Sequence, residues 1–149
     1  MPEEGRALLQ AFRSDAGEKL ILENNAFVEL LVPAGVIREL DDEEMAEYRR
    51  SFADPGEDRR PTLTWPRQQP FDGEPAEVVE IVNDYAEWMA QTELPKLFIS
   101  GDPGVVLAGA PREFCRTWRN QTEVSVPGLH YLQEDSPDLI GGALSSWLA

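Results

Sequence analysis

Two short strands separated by one helix, after a mostly helical half, constrain the fold of this chain most strongly. Lys96–Ser100 is an apolar run bounded by a proline and a glycine, and Thr122–Val126 is a second strand-like run. Because a helix is predicted between them over residues 111–118, the two strands are expected to lie parallel. A parallel pair is a poor sheet by itself, and right-handed crossovers normally pack onto a larger sheet. We therefore expect an α/β fold whose other strands precede Met1.

Five segments carry helical patterns of apolar or charged residues, which predicts helices over residues 2–13, 21–33, 41–52, 73–91 and 136–149. In the second of these, Phe27, Leu30 and Leu31 are expected to share one face, and Pro33 to end the helix. Asp41 or Asp42 is expected to cap the third helix. Ser136 is expected to cap the last one, which carries a proline in its first turn.

The segment from Ala53 to Pro75 contains five prolines and two glycines. Such a composition argues against a long helix or a central strand. Because the segment also contains Leu63, Trp65 and Phe71, it predicts an ordered loop that wraps the surface rather than a disordered linker.

The charge balance and the scarcity of cysteine and histidine exclude several classes of function. The formal net charge is -15, which disfavours nucleic acids and anionic membranes as partners because their binding depends on Lys and Arg. No apolar run reaches the roughly 20 residues of a membrane span, and no signal peptide is apparent. The single cysteine, Cys115, precludes an internal disulfide and is expected to be a core thiol, so a cytoplasmic location is the default. One histidine and one cysteine also argue against a metal site.

His130 and Asp102 are the residues best placed for chemistry. The only histidine, His130, follows the second strand, and Asp102 follows the first. Loops at the carboxyl ends of parallel strands form active sites, where a histidine can act as a general base and a carboxylate can orient it. From position alone, a surface or capping histidine and an Asp-Pro-Gly turn explain the two residues more simply than catalysis does. Glu134 and Asp135 are expected to favour the N-terminus of the last helix.

Six segments, in order and with similar spacing, resemble haloalkane dehalogenases and the related coelenterazine-using luciferase of sea pansies. They are ENNAFVELLVP, LDDEEMAEYRRSF, GEDRRPTLTWPRQQP, GEPAEVVEIVNDYAEWM, LPKLFISGDPGV and GLHYLQEDSPDLIG. The resemblance implies the C-terminal portion of an α/β-hydrolase fold. Residues 1–91 would be the helical cap and the crossover to the core, and residues 92–149 the last two strands and helices of the core.

In haloalkane dehalogenases an aspartate displaces halide from an alkyl carbon, and histidine-activated water hydrolyses the resulting ester, without metal or organic cofactor. The resemblance assigns the histidine role to His130 and places the nucleophile upstream of Met1. The acid that partners the histidine would lie upstream as well, or be Asp102 as in another subfamily. Phe27 and Leu31 match pocket-facing cap positions, and Val105 and Val106 match pocket positions after the first strand, although ordinary core packing would explain the same residues.

Three interpretations follow from the resemblance. The first is part of a hydrolase that cleaves carbon–halogen bonds in small halogenated organic substrates. The second is a luciferase-like monooxygenase on the same scaffold, because one fold supports different sites. The third is a non-catalytic fragment that pairs with a complementary N-terminal half.

Overall fold

A computed structural model describes residues 3–149, without the side chain of Glu4. The chain divides into two compact units. The helical unit comprises residues 3–34 and 38–79, and the strand unit comprises residues 80–149 together with Gly35–Ile37. The predicted division at residue 91, between a cap and a hydrolase core, stays a prediction.

The helical unit consists of short helices around an apolar core. Its elements are α1 (Glu3–Arg13), two π-helical turns (Lys19–Glu23 and Phe27–Leu31), α2 (Val32–Ala34), α3 (Asp42–Arg50), a 3₁₀ turn (Glu57–Arg59) and α4 (Arg60–Gln68). The predicted start of the first helix at Pro2 lies outside the described residues. Five buried residues form the core, namely Leu9, Phe12, Ile21, Ala26 and Leu63. The unit is thus held together mainly by α1 and the first π-helical turn packing against α4.

Pro33 lies one residue before the end of the continuous helical run made by the second π-helical turn and α2, close to the predicted end. Another prediction for this unit is wrong. Leu30 does not share a buried face with its neighbours, since 49% of its surface is exposed. The π-helical geometry changes the residue spacing on which a 3.6-residue pattern depends, and this explains the error.

The middle of the proline-rich segment is helical rather than part of a wrapping loop, since it contains the 3₁₀ turn and α4. Pro61 lies in the first turn of α4, where proline is well tolerated, and Pro66 lies near the end of this nine-residue helix. Leu63 and Pro66 are buried, so tertiary packing outweighs the low helical propensity of the sequence.

The start of α3 is confirmed and assigned to Asp41. Its carboxylate accepts from the backbone N–H of Glu44, and the Glu44 side chain accepts from the N–H of Asp41, forming a reciprocal capping box. Arg38 adds a two-bond ion pair, and these hydrogen bonds lower the pKa of Glu44 to about 2.

The strand unit contains the predicted parallel pair. β1 (Lys96–Pro103) and β2 (Gln121–Gly128) run in register from Lys96 opposite Gln121 to Pro103 opposite Gly128. The remaining helices of the described chain are α5 (Ala76–Gln91), which begins in the helical unit, α6 (Ala110–Arg116), α7 (Leu132–Asp135) and α8 (Pro137–Leu148). The order strand, helix, strand, helix agrees with the prediction, and Cys115 in α6 is buried as expected.

Large apolar side chains are exposed along α5 and α8. No residue of either helix is buried, and Tyr85, Trp88, Leu139 and Leu148 are each more than half exposed. These exposed faces of α5 and α8 therefore lack the packing that apolar stripes of this length normally receive.

Among residues 3–149, none of the helices has the length and apolarity needed to cross a membrane.

Candidate active site

His130 lies in the short connection between β2 and α7. Its backbone N–H and that of Tyr131 both donate to the carbonyl of Gly35, each at 2.9 Å. The rings of His130 and Tyr131 are 4.7 Å apart and tilted by 56°. His130 is exposed in this chain.

Protein atoms around the ring displace part of its water, and this desolvation lowers the pKa of His130 below its usual 6.5. The imidazole is therefore mostly neutral at pH 7, which is the state that a general base requires. Burial likewise raises the pKa of Tyr131, so this phenol keeps its proton over the same pH range.

The titration of His130 is directly measurable because the chain has one histidine. We expect the single ring Cε1–Hε1 resonance in NMR to titrate with a midpoint below 6.5, and to return to about 6.5 in urea. Since the folded pKa is the lower one, the unfolded chain binds more protons, and stability should fall as pH decreases below about 6.5. A folded midpoint at or above the urea value would contradict this assignment.

Asp102 lies within β1, opposite Pro127, and not in a turn after the strand as the sequence suggested. Beyond Asp102, the backbone N–H of Gly104 donates to the carbonyl of Gly128 at 3.0 Å, and the backbone N–H of Val105 donates to the carbonyl of Leu129 at 3.2 Å. These bonds extend the parallel pairing, so the segment after β1 runs beside the segment that leads to His130. The Asp102 side chain is exposed, and its role as the partner of His130 stays a prediction.

Two glycines permit the close approach of α7 to the carboxyl ends of both strands. A Cβ atom at Gly101 would lie 2.7 Å from Cδ2 of Leu132, and one at Gly128 would lie 2.6 Å from the same atom. Real Cβ atoms do not approach carbon so closely, so a larger residue at either position would force the Leu132 side chain to move.

Arg112 organises the segment that carries Val105 and Val106, and sequence reasoning missed it. Its guanidinium donates to the carbonyls of Gly101 and Pro103, and its Nε donates to the carbonyl of Leu107 at 3.1 Å. Both valines are partly buried. The sequence signal that could have indicated this role is an arginine shortly after a glycine-rich segment, whose carbonyls need hydrogen-bond donors.

Phe27 and Leu31 belong to the helical unit, in the second π-helical turn. Both are partly buried and pack against its core, and the Phe27 ring lies 6.2 Å from that of Phe12 and 6.0 Å from that of Trp65. Core packing therefore accounts for part of their surface, and their role as walls of a substrate pocket stays a prediction.

Across the described residues, 3–149, no group of three or more His, Cys, Asp or Glu side chains is arranged to hold a metal ion.

Comparisons with known proteins give close relatives. No protein-family model matches the chain. A haloalkane dehalogenase of Sphingobium indicum is 54% identical over 147 residues, and one of Mycolicibacterium smegmatis is 52% identical over 149 residues. Each alignment covers 99% of this chain but 50% and 48% of the respective relative. The chain thus spans about half the length of the curated relatives it matches.

Solved structures give the same result. A putative ancestral haloalkane dehalogenase matches with a TM-score of 0.93 at 40% identity, covering 99% of this chain and 52% of that protein. A haloalkane dehalogenase from Bradyrhizobium elkani matches with a TM-score of 0.92 at 39% identity, covering 99% and 51%. The parallel strand pair, its helices and the histidine after the second strand are the C-terminal portion of an α/β-hydrolase fold. The chain belongs to the haloalkane dehalogenase family, of which it represents the C-terminal part.

Proposed function

We propose that the chain is the C-terminal part of a hydrolase that cleaves carbon–halogen bonds in small halogenated organic molecules. The observation that carries this proposal is 54% identity, across nearly the whole chain, to a haloalkane dehalogenase of which it spans half. The position of His130 directly after β2 supports it, because active sites of α/β sheets lie at the carboxyl ends of strands.

In the proposed reaction, a carboxylate from sequence preceding this chain attacks the halogen-bearing carbon and expels halide, forming an ester. His130 then takes a proton from water, which attacks the ester carbonyl and releases the alcohol. The lowered pKa of His130 suits this step because the imidazole must be neutral to accept a proton. Asp102 or an upstream carboxylate would stabilise the resulting imidazolium.

We keep Phe27, Leu31, Val105 and Val106 as proposed substrate-binding residues, as the resemblance to the family implies. An apolar lining would suit haloalkanes and keep bulk water from the ester. We retain residues 1–91 as the proposed cap and crossover and residues 92–149 as the proposed core portion. A cytoplasmic location also stays a prediction.

We further propose that a complementary N-terminal half packs on the strand unit. A groove of about 710 Å³ lies between the strand pair and α8 and is lined in part by Leu97, Val124, Val126, Ala143 and Trp147. Relatives are about twice as long as this chain, so a second half of similar length is available to fill it. Without that partner, the exposed apolar faces are expected to cause self-association.

The experiment combines this chain with the first half of the Sphingobium indicum relative. We expect the two together to release halide from 1,2-dibromoethane, and each half alone to release none. Ala143→Arg, which places a long cation in the groove, should abolish the gain, whereas the control Ser145→Arg on the same helix should retain it. Halide release by this chain alone, or equal activity of both variants, would contradict the proposal. If the combined halves emit light with coelenterazine and release no halide from 1,2-dibromoethane, the luciferase-like alternative is favoured.

A further inference from the structure

A three-residue segment, Gly35–Ile37, is bound to the loop that carries His130. Although the sequence on both sides of this segment belongs to the helical unit, the segment itself belongs to the strand unit. Gly35 and Val36 are buried. The carbonyl of Gly35 accepts both backbone N–H bonds, from His130 and Tyr131, described above. The backbone on either side of the His130 ring is therefore fixed from outside its own loop.

Asp135 binds the other end of the same segment. Its Oδ1 and Oδ2 accept from the N–H of Ile37 at 2.9 and 3.0 Å. The sequence alone suggested that this acid favours the N-terminus of the last helix, but its carboxylate accepts a bond from a residue 98 positions away. A carboxylate forms a stronger hydrogen bond to an N–H than a neutral acceptor does.

The loop that joins Asp135 to His130 is short and closed. α7 occupies Leu132–Asp135, and the hydroxyl of the next residue, Ser136, donates to the carbonyl of Pro127 at 2.7 Å. Ser136 is 5% exposed and occupies the N-cap position of α8 as predicted, but its side chain forms no capping bond to that helix. With its two ends joined, the loop has little freedom to absorb a displacement of Asp135.

We propose that Asp135 is a positioning residue for His130. By holding the N–H of Ile37, Asp135 fixes the carbonyl of Gly35 against the N–H groups of His130 and Tyr131, and so sets the direction of the imidazole. The importance of that direction for catalysis rests on the proposed function, but the positioning itself does not. It can be measured in this chain whether or not an active enzyme is reconstituted.

The test compares Asp135→Ala, Asp135→Asn and the control Asp138→Ala, which removes an exposed carboxylate three residues further on. In Asp135→Ala, hydrogen exchange at the amides of Ile37, His130 and Tyr131 should accelerate roughly tenfold or more. This is the change expected when the free energy of local opening falls by the contribution of about one hydrogen bond. The single His130 ring resonance should broaden or split. Asp135→Asn keeps one acceptor oxygen and should restore most of the protection.

Amides of the β1–β2 ladder provide the internal reference for global stability, since they should exchange alike in all variants. In the reconstituted enzyme, Asp135→Ala should lower kcat more than it changes KM. Unchanged exchange at His130 and Tyr131 in Asp135→Ala would overturn the proposal, as would equal acceleration in Asp138→Ala. If reconstitution gives no halide release in any variant, the proposed function fails while the exchange and ring measurements still decide the role of Asp135.

Discussion

Replacing His130 by alanine is expected to permit one release of halide per active site and then stop turnover. In the proposed mechanism the upstream carboxylate displaces halide without the histidine, whereas hydrolysis of the ester requires a base for water. Losing a general base typically costs about 10²–10⁴-fold in rate, and we expect roughly 10³-fold or more in steady-state turnover. Rapid-mixing measurement of halide in the reconstituted enzyme would detect the single burst, and mass spectrometry the trapped ester.

Gln133→Ala is the matched control for this variant, because Gln133 is exposed and lies three residues beyond His130. It should release halide at the unmodified rate over many turnovers. Continued turnover in His130→Ala would exclude this residue as the base. Loss of the burst as well as of turnover would indicate that the variant affects substrate binding or pairing of the halves instead.

Much of the strand unit could be predicted because its signals are local. A short apolar run between a proline and a glycine identified β1, and a second strand-like run identified β2, although each strand extends two or three residues beyond its predicted end. Their parallel pairing followed from the helix between them. The same order placed His130 at the carboxyl end of β2, but the resemblance, and not the pattern, supplied its chemical role.

The remaining features depend on contacts between residues that are distant in sequence. The bond from Ile37 to Asp135 joins residues 98 positions apart and leaves no local pattern. The helix across Pro61 and Pro66 required the burial of Leu63, which propensity does not include. The burial of Arg59, at 7% exposure, was likewise unpredictable, because an arginine in a charged segment normally lies at the surface.

Replacing Arg59 by methionine is expected to produce the largest loss of stability in the helical unit. The guanidinium donates to four carbonyls, those of Leu22, Glu23, Phe52 and Ala53, at 2.7–3.2 Å. Glu23 ends the first π-helical turn, and Phe52 and Ala53 follow α3, so Arg59 satisfies acceptors that helix ends leave unpaired. Methionine fills a similar volume but offers no donor. Leaving several part-buried carbonyls unpaired should cost about 3 kcal/mol in the free energy of unfolding.

Arg60 is the matched control, since it is the adjacent arginine and its side chain is 39% exposed, paired with Glu57 and Glu18. Arg60→Met should change the free energy of unfolding far less, because exposed ion pairs are screened by water. Arg59→Lys should recover only part of the loss, since an ammonium group cannot reproduce the planar fork that spans four acceptors. Urea unfolding followed by tryptophan fluorescence, at low protein concentration to limit self-association, measures all three variants. Equal losses at positions 59 and 60, or full recovery with lysine, would show that charge rather than the geometry of the fork stabilises this unit.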